Sequence, residues 1–270
     1  MALPRRGYDA FSPPDAGAAK ATGYEFGMHY GAGGSKNKWL THAVRRANHD
    51  AGIDVGLNYE GDKGDSDSGF AGGVENATKA NDFFDSLDAP TDVAIYYSVD
   101  TARTADQVRE YFRGIASVGR RPVGGYGGTE MLAMLDEGLI RYWWQANAGS
   151  WSGFQSEHFP SHPRACIRQF VDVTNPIPVP NAQIGEQQFA NIKQDEQLMD
   201  DCGLWLSPTS TQGDMLSAAD IQAIEAHIDA TVRDAEGTIN KAQDDHSREI
   251  IAAIREQSAI LSRIAAKLGA

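Results

Sequence analysis

The chain has 270 residues and a formal net charge of −13, with 41% apolar and 9% aromatic residues. Its length allows one large domain with an appended segment, and its composition is that of an ordinary globular protein. The acidic balance argues against a nucleic acid as partner, because binding to phosphates needs a basic face. Two cysteines, Cys166 and Cys202, are too few for a disulfide framework, and we interpret them as one buried thiol and one linker thiol.

The N-terminal residues do not show the pattern of a secretory signal peptide. Residues 1–11 contain two arginines but no apolar run of seven or more residues, so we expect no standard secretion signal. No stretch approaches the roughly 20 apolar residues of a membrane span. We therefore expect a protein that is made in a cytoplasm, without a secretion signal and without a membrane span.

Short apolar runs alternate with helical patterns over the first two thirds of the chain. The predicted strands cover residues 5–9, 24–30, 53–59, 93–99, 122–126, 140–146 and 166–171, and the predicted helices cover 38–51, 70–87, 105–118 and 129–137. This βαβα order predicts parallel strands with helices outside. We predict an α/β fold, a trimmed (β/α)8 TIM-like barrel over residues 1–175. An open doubly wound sheet is the alternative, but it would need a glycine-rich phosphate turn after the first strand.

The rest of the chain is predicted to be a linker, residues 176–216, followed by a long C-terminal α-helix, residues 217–268. Isoleucines and other apolar residues recur in steps of four and three over this helix, which is typical of a coiled-coil seam. Isoleucine at many seam positions favours three strands, so the predicted assembly is a homo-oligomer, a trimer, through this helix. A helix that folds back on its own barrel is the alternative.

The functional residues of a barrel lie at the carboxyl ends of its strands, so the polar and aromatic residues that follow each apolar run form the candidate site. Carboxylates beside aromatic rings suit glycoside chemistry, in which one acid protonates the leaving oxygen while another stabilises or attacks the sugar. Each carboxylate has an alternative role as a cap or a solvated loop residue. No motif for a metal or a cofactor is found, and none is expected. The predicted catalytic residues are Asp9, Glu60, Asp100 and Asp172, and the predicted substrate-binding residues are Tyr30, Tyr59, Tyr126, Trp144, Gln145 and Gln169.

Four short motifs occur in a recognisable order: GYD at 7–9, IYYSVD at 95–100, YWWQA at 142–146 and RQFVD at 168–172. This order resembles the glycoside-hydrolase-like TIM-barrel domain of actinobacterial cell-envelope and phage proteins, which is related to the family 25 lysozymes. The resemblance covers about residues 5–175. It implies that the ligand is peptidoglycan, the bacterial cell-wall glycan.

One motif departs from the lysozyme pattern. In family 25 lysozymes the fourth strand ends in Asp-x-Glu, with Glu as the proton donor, whereas the matching residues here are Ser98, Val99 and Asp100. The first acid is absent and the second is shorter by one methylene, and Glu60 is the residue that would supply the missing acid. A peptidoglycan glycosidase of the muramidase type and a catalytically inactive glycan-binding or structural minor tail protein therefore both stay open.

A barrel joined to an oligomerising helix, without a secretion signal, is typical of a phage tail component. By this analogy we expect the protein in the virion, in the phage tail, with other phage tail proteins as partners.

Overall fold

The computed structural model describes residues 4–148, 161–170, 177–178, 189–190 and 192–208. The chain divides into two units, Met1–Ser210 and Thr211–Ala270, and the described residues all belong to the first. Asp172 and the predicted helix at 217–268 lie outside the described residues. The coiled coil and the trimer therefore stay predictions.

Among the described residues, eight strands close a barrel in the order β1-β10-β7-β6-β5-β4-β3-β2. Neighbours from β1 to β7 run parallel, and β10 runs antiparallel to both of its neighbours, β1 and β7. The α/β barrel fold is thereby confirmed. The strands are β1 Arg5–Ala10, β2 Phe26–Tyr30, β3 Asp54–Tyr59, β4 Ile95–Ser98, β5 Val123–Gly127, β6 Tyr142–Gln145, β7 Ile167–Phe170, β8 Ile177–Pro178, β9 Phe189–Ala190 and β10 Ile192–Gln197, and β8 pairs with β9 in a separate two-stranded sheet.

The strand that closes the barrel, β10, lies within residues 176–216, the segment predicted to be a linker. It was missed because the residues that it buries are polar. Asp195 and Gln197 are both almost fully buried, while Lys193 on the same strand is exposed. A search for apolar runs does not detect a strand of this composition. The barrel therefore extends beyond residue 175.

Five α-helices are found in the described part of the chain, and those that follow β3, β4 and β5 pack against the outside of the barrel through a shared apolar core. They are α1 Ala16–Ala21, α2 His42–Asp50, α3 Gly69–Asp85, α4 Ala105–Val118 and α5 Glu130–Asp136. The predicted helix at 38–51 is in fact a short 3-10 turn, Lys36–Lys38, followed by α2. No helix among the described residues is long and apolar enough to cross a membrane.

The barrel strands alternate between two apolar layers, because successive side chains of a strand point to opposite faces. Leu57, Tyr59 and Trp143 belong to the layer shared with α3 and α4. Tyr96 and Trp144 belong to a second cluster with Met28 and Leu204, which fills the interior of the barrel. The face on which a residue lies therefore decides whether it contacts the helices or the barrel interior.

The amino end of the barrel is closed by a buried polar network. Arg5 donates to Asp54 Oδ2 at 2.5 Å and to Gln197 Oε1 at 2.7 Å, and the backbone N–H of Ser207 donates to Asp54 Oδ1 at 2.7 Å. Val55 and Trp205 exchange two backbone hydrogen bonds of 2.9 and 2.8 Å. Residues 202–208 thus cover this end of the barrel.

Both cysteines are free and buried. Cys166 and Cys202 belong to the same apolar cluster in the barrel, and the hydroxyl of Tyr96 donates to the carbonyl of Cys202 at 2.7 Å. Cys202 is therefore a core residue of the barrel and not a linker thiol.

Candidate functional site

A pocket of about 170 Å³ opens at the carboxyl ends of the strands. Seven of the predicted site residues reach it, from strands that are far apart in sequence. Whether these residues act on a ligand, and in which role, stays a prediction. The pocket is lined by Asp9, Phe11, Tyr30, Lys38, Glu60, Ser98, Asp100, Tyr126, Trp144, Gln169 and Lys193.

Two predicted substrate-binding residues, Tyr59 and Gln145, do not line this pocket. Tyr59 lies on the helix-facing side of β3, where its hydroxyl donates to Asp65 Oδ2 at 3.0 Å. Gln145 follows the inward-facing Trp144, so its side chain points outward, and it accepts a hydrogen bond from the backbone of His162 at 2.9 Å. In both cases the two-residue period of a strand sends the side chain away from the mouth.

Asp9 lies at the centre of a hydrogen-bond chain. Its Oδ1 accepts from the hydroxyl of Tyr30 at 3.0 Å and its Oδ2 accepts from Nε2 of Gln169 at 2.8 Å, while the hydroxyl of Tyr126 donates to Oε1 of Gln169 at 3.0 Å. Burial raises the pKa of the Asp9 carboxyl, and the charge of Glu60 raises it further. The charge of Lys193 and the two hydrogen bonds act in the opposite direction.

A second buried carboxyl, Asp195, was not predicted. It lies on β10, and its Oδ1 accepts a hydrogen bond from Nε1 of Trp144 at 2.9 Å. Its Oδ2 is buried and has no hydrogen-bond partner among the described residues. Burial raises the pKa of Asp195 well above its ordinary range, and the nearby charge of Asp9 adds to this effect. Asp9 and Asp195 therefore titrate as a coupled pair.

An ion pair forms another part of the pocket wall. Nζ of Lys38 lies 2.6 Å from Oε1 of Glu60 and 4.7 Å from the centre of the Tyr30 ring. Lys38 is buried, and the contact with an anion and an aromatic face compensates its charge. Sequence reasoning missed Lys38 because it comes from a 3-10 turn and not from the end of a strand.

Two charged groups in the pocket are without such partners. Asp100 is half-buried and forms no hydrogen bond or ion pair with the residues that the structure describes. Lys193 is exposed and likewise has no ion pair within the described ranges. Next to Asp100, Ser98 and the side chain of Asn58 exchange hydrogen bonds of 3.0 and 3.1 Å. Asp100 and Lys193 are therefore the charged groups most available to a ligand.

The described residues contain no cluster of three or more His, Cys, Asp or Glu side chains that is placed to hold a metal ion. The pocket offers a ligand carboxylates, ammonium groups and aromatic rings, which can transfer protons and bind polar rings with apolar faces.

The closed α/β barrel, with acids and aromatic rings at its carboxyl end, belongs to the class of glycoside-hydrolase-like barrel proteins. Residues 17–181, more than half of the chain, match the family described as Rv2525c-like, glycoside hydrolase-like domain. The chain belongs to this family, and the resemblance that the sequence motifs indicated is confirmed. No curated protein sequence matches the chain.

Two crystal forms of one solved protein share the fold. The chain is similar to the Tat-secreted protein Rv2525c of Mycobacterium tuberculosis, crystallised with HEPES, at 21% identity over 74% of this chain and 98% of that chain, with a TM-score of 0.59. A second crystal form of Rv2525c, with L-tartrate, matches over the same shares at 20% identity with a TM-score of 0.59. The spore cortex lytic enzyme SleM of Clostridium perfringens aligns over 73% of this chain and 68% of that chain at 14% identity and a TM-score of 0.45.

Proposed function

We propose that the pocket binds bacterial cell-wall glycan, peptidoglycan, and cleaves a glycosidic bond in it. The observation that carries this proposal is the meeting of carboxylates and aromatic rings in one pocket of a glycoside-hydrolase-like barrel. Carboxylates supply the acid and the anion of glycoside cleavage, and the rings supply apolar surface for a sugar. The carboxylates are Asp9, Glu60 and Asp100, and the rings are those of Tyr30, Tyr126 and Trp144.

The environments of the acids favour a division of roles. Because burial raises its pKa, Asp9 suits the acid that protonates the leaving oxygen. Asp100, half-buried and without a hydrogen bond to the described residues, suits the carboxylate that stabilises or attacks the sugar centre. Glu60 is held by Lys38 at 2.6 Å and so has a positioning role in this proposal. Asp172 remains a predicted member of the site.

The reaction is tested by following the release of reducing ends from purified peptidoglycan. Asp9→Asn and Asp100→Asn should each lower the rate by about 10²–10⁴-fold, because each removes a proton-transferring or charge-stabilising group. Asp92→Asn, an exposed acid outside the pocket, is the matched control and should leave the rate unchanged. Unchanged release in both pocket variants would show that these acids do not cleave the glycan.

A second candidate is a catalytically inactive glycan-binding protein, and two observations favour it. Asp100 stands where the resemblance expects the longer Glu, and Glu60 is engaged with Lys38. In this case peptidoglycan pull-down retains the protein without release of sugar. Phe11→Ala removes a ring that is 49% exposed at the pocket and should weaken retention, whereas Phe70→Ala removes a ring that is 48% exposed on α3 and should not.

We extend the proposal to a phage tail, where the protein would be a homo-oligomer, a trimer, in contact with other tail proteins. The support is the isoleucine-rich repeat over residues 217–268, together with the family resemblance. Sedimentation equilibrium of the full chain against a chain ending at residue 216 tests the assembly, and a monomer in both would contradict it. Antibody to the barrel should label tails of intact virions, and unlabelled tails would contradict the location.

A further inference from the structure

A groove separate from the pocket lies between the first turns of α1 and α2. Its volume is about 520 Å³, within the roughly 300–1,000 Å³ of typical ligand sites, while the pocket at the barrel mouth has about 170 Å³. The pocket therefore has room for only a short piece of a long ligand. The groove provides the additional space that a longer ligand needs.

The groove and the pocket share two loops. In the loop after β2, Lys38 lines the pocket, while Lys36 and Trp39 on either side of it line the groove. In the loop after β1, Phe11 lines the pocket and Pro13 lines the groove. Asn37 and Trp39 of the groove directly flank Lys38 of the pocket, and consecutive Cα atoms are about 3.8 Å apart, so the two cavities lie side by side on these loops.

The indole of Trp39 is held in place at the groove. Its Nε1 donates to the carbonyl of Gly33 at 2.7 Å, and the ring of Phe83 packs edge-on against it with ring centres 5.0 Å apart. The ring remains partly exposed, with the Nζ of Lys36 5.6 Å from its centre. The exposed side chain of Asn37 lies beside it in the groove wall. A fixed aromatic surface beside polar and cationic groups is suited to the apolar face and the hydroxyl or acidic groups of a sugar.

We propose that this groove is a second saccharide subsite, which holds further sugar units of the glycan whose reacting unit lies in the pocket. The substrate class is then an oligosaccharide or polymer and not a single sugar. This inference rests on the proposed function of the pocket, because it places the same glycan chain in both cavities.

Titration calorimetry with N-acetylglucosamine oligomers of two and six units tests the subsite on the full chain. The natural protein should bind the hexamer about tenfold more tightly than the dimer, since only the hexamer reaches the aromatic surface. Trp39→Ala should abolish that difference and leave dimer affinity unchanged. Ala43→Arg, at an exposed position of α2 in the groove wall, should have the same effect by filling the groove while leaving the Trp39 packing intact.

Phe70→Ala, an exposed ring on α3, is the matched control and should retain the difference between dimer and hexamer. Equal affinity for both oligomers in the natural protein, with the dimer still bound, would overturn the subsite and leave the proposed function in place. Binding of neither oligomer would overturn both. If Trp39→Ala and Ala43→Arg change the sedimenting mass but not the affinities, the groove holds a second copy of the chain, which also overturns the subsite.

Discussion

The two ends of the barrel place different groups beside their most deeply buried carboxyl groups. At the amino end, the carboxylate of Asp54 is fully buried, and it lies 2.5 Å from the guanidinium of Arg5 and accepts the backbone N–H of Ser207. At the carboxyl end, Asp9 and Asp195 are just as deeply buried, but their hydrogen-bond donors are neutral side chains. The amino end places a cation beside its buried acid, whereas the carboxyl end places two buried acids near each other.

This difference separates stability from chemistry in one fold. A buried carboxylate beside a cation retains its charge and fixes the strands that carry it. A buried carboxyl that faces another acid has a raised pKa, and that is the property required of a proton donor near neutral pH. The amino end is therefore suited to a structural closure, and the carboxyl end is suited to holding a proton.

The largest expected effect is at the amino end. Arg5→Met leaves the buried carboxylate of Asp54 without its cation, so the free energy of unfolding should fall by about 3–5 kcal/mol, measured by urea unfolding. The folded fraction should bind glycan as before, because the pocket lies at the other end. Lys79→Met, which removes an exposed ion pair with Glu75, is the control and should leave stability nearly unchanged. Equal stability of Arg5→Met and the natural protein would contradict a structural role for this network.

The same contrast shows how far sequence reasoning reaches. The parallel strands were predictable because both of their faces are covered, so they are apolar runs. β10 was not, because it buries Asp195 and Gln197, whose partners are polar groups on distant strands and in residues 199–200. A search for apolar runs detects a buried strand only when the buried side chains are apolar. The strand that completes both ends of the barrel was therefore the one that the pattern missed.

For the candidate site, the predicted strand ends showed which residues lie near the carboxyl end of the barrel. They did not show whether each side chain points into the pocket or towards the helices. Asp9 and Tyr126 point into the pocket, whereas Tyr59 and Gln145 lie one position out of phase and point to the helices or outward. Counting inward and outward positions along each strand would have separated them. Lys38 had no such signal, because its position depends on the fold of a loop.

The second prediction concerns the carboxyl end, where the replacement of a buried polar residue should stabilise the protein instead of destabilising it. The folded chain retains the proton of Asp195 at pH values where the unfolded chain, with an aspartate pKa of about 3.9, has released it. The folded state then binds more protons, so the free energy of unfolding falls as pH rises from about 4 towards the raised pKa, by up to about 1.4 kcal/mol per pH unit. Asp195→Asn should flatten this slope and make the protein more stable than the natural one at pH 7.

Urea unfolding at several pH values between 4 and 8 measures this slope, with Asp92→Asn as the exposed control that should retain it. An asparagine at position 195 preserves the acceptor for Nε1 of Trp144, so the fold has no reason to change. If Asp195→Asn is less stable at pH 7 or has the natural slope, the carboxyl is ionised in the folded protein, and the contrast between the two ends fails.

The smallest expected effect concerns one hydroxyl in the pocket. Tyr30→Phe removes the hydrogen bond to Asp9 that lowers the pKa of this carboxyl, and it leaves the ring under Lys38. The pKa of Asp9 should rise, so the alkaline limb of the pH profile of glycan cleavage or binding should move to higher pH by about one unit or less, as expected for one hydrogen bond.

Tyr59→Phe is the control, because it removes a hydroxyl of the same kind on the helix-facing side of β3, where it donates to Asp65. The pH profile should move in the first variant and not in the second, because of these two tyrosines only Tyr30 contacts Asp9. Identical profiles in both variants would mean that Asp9 does not control the pH dependence.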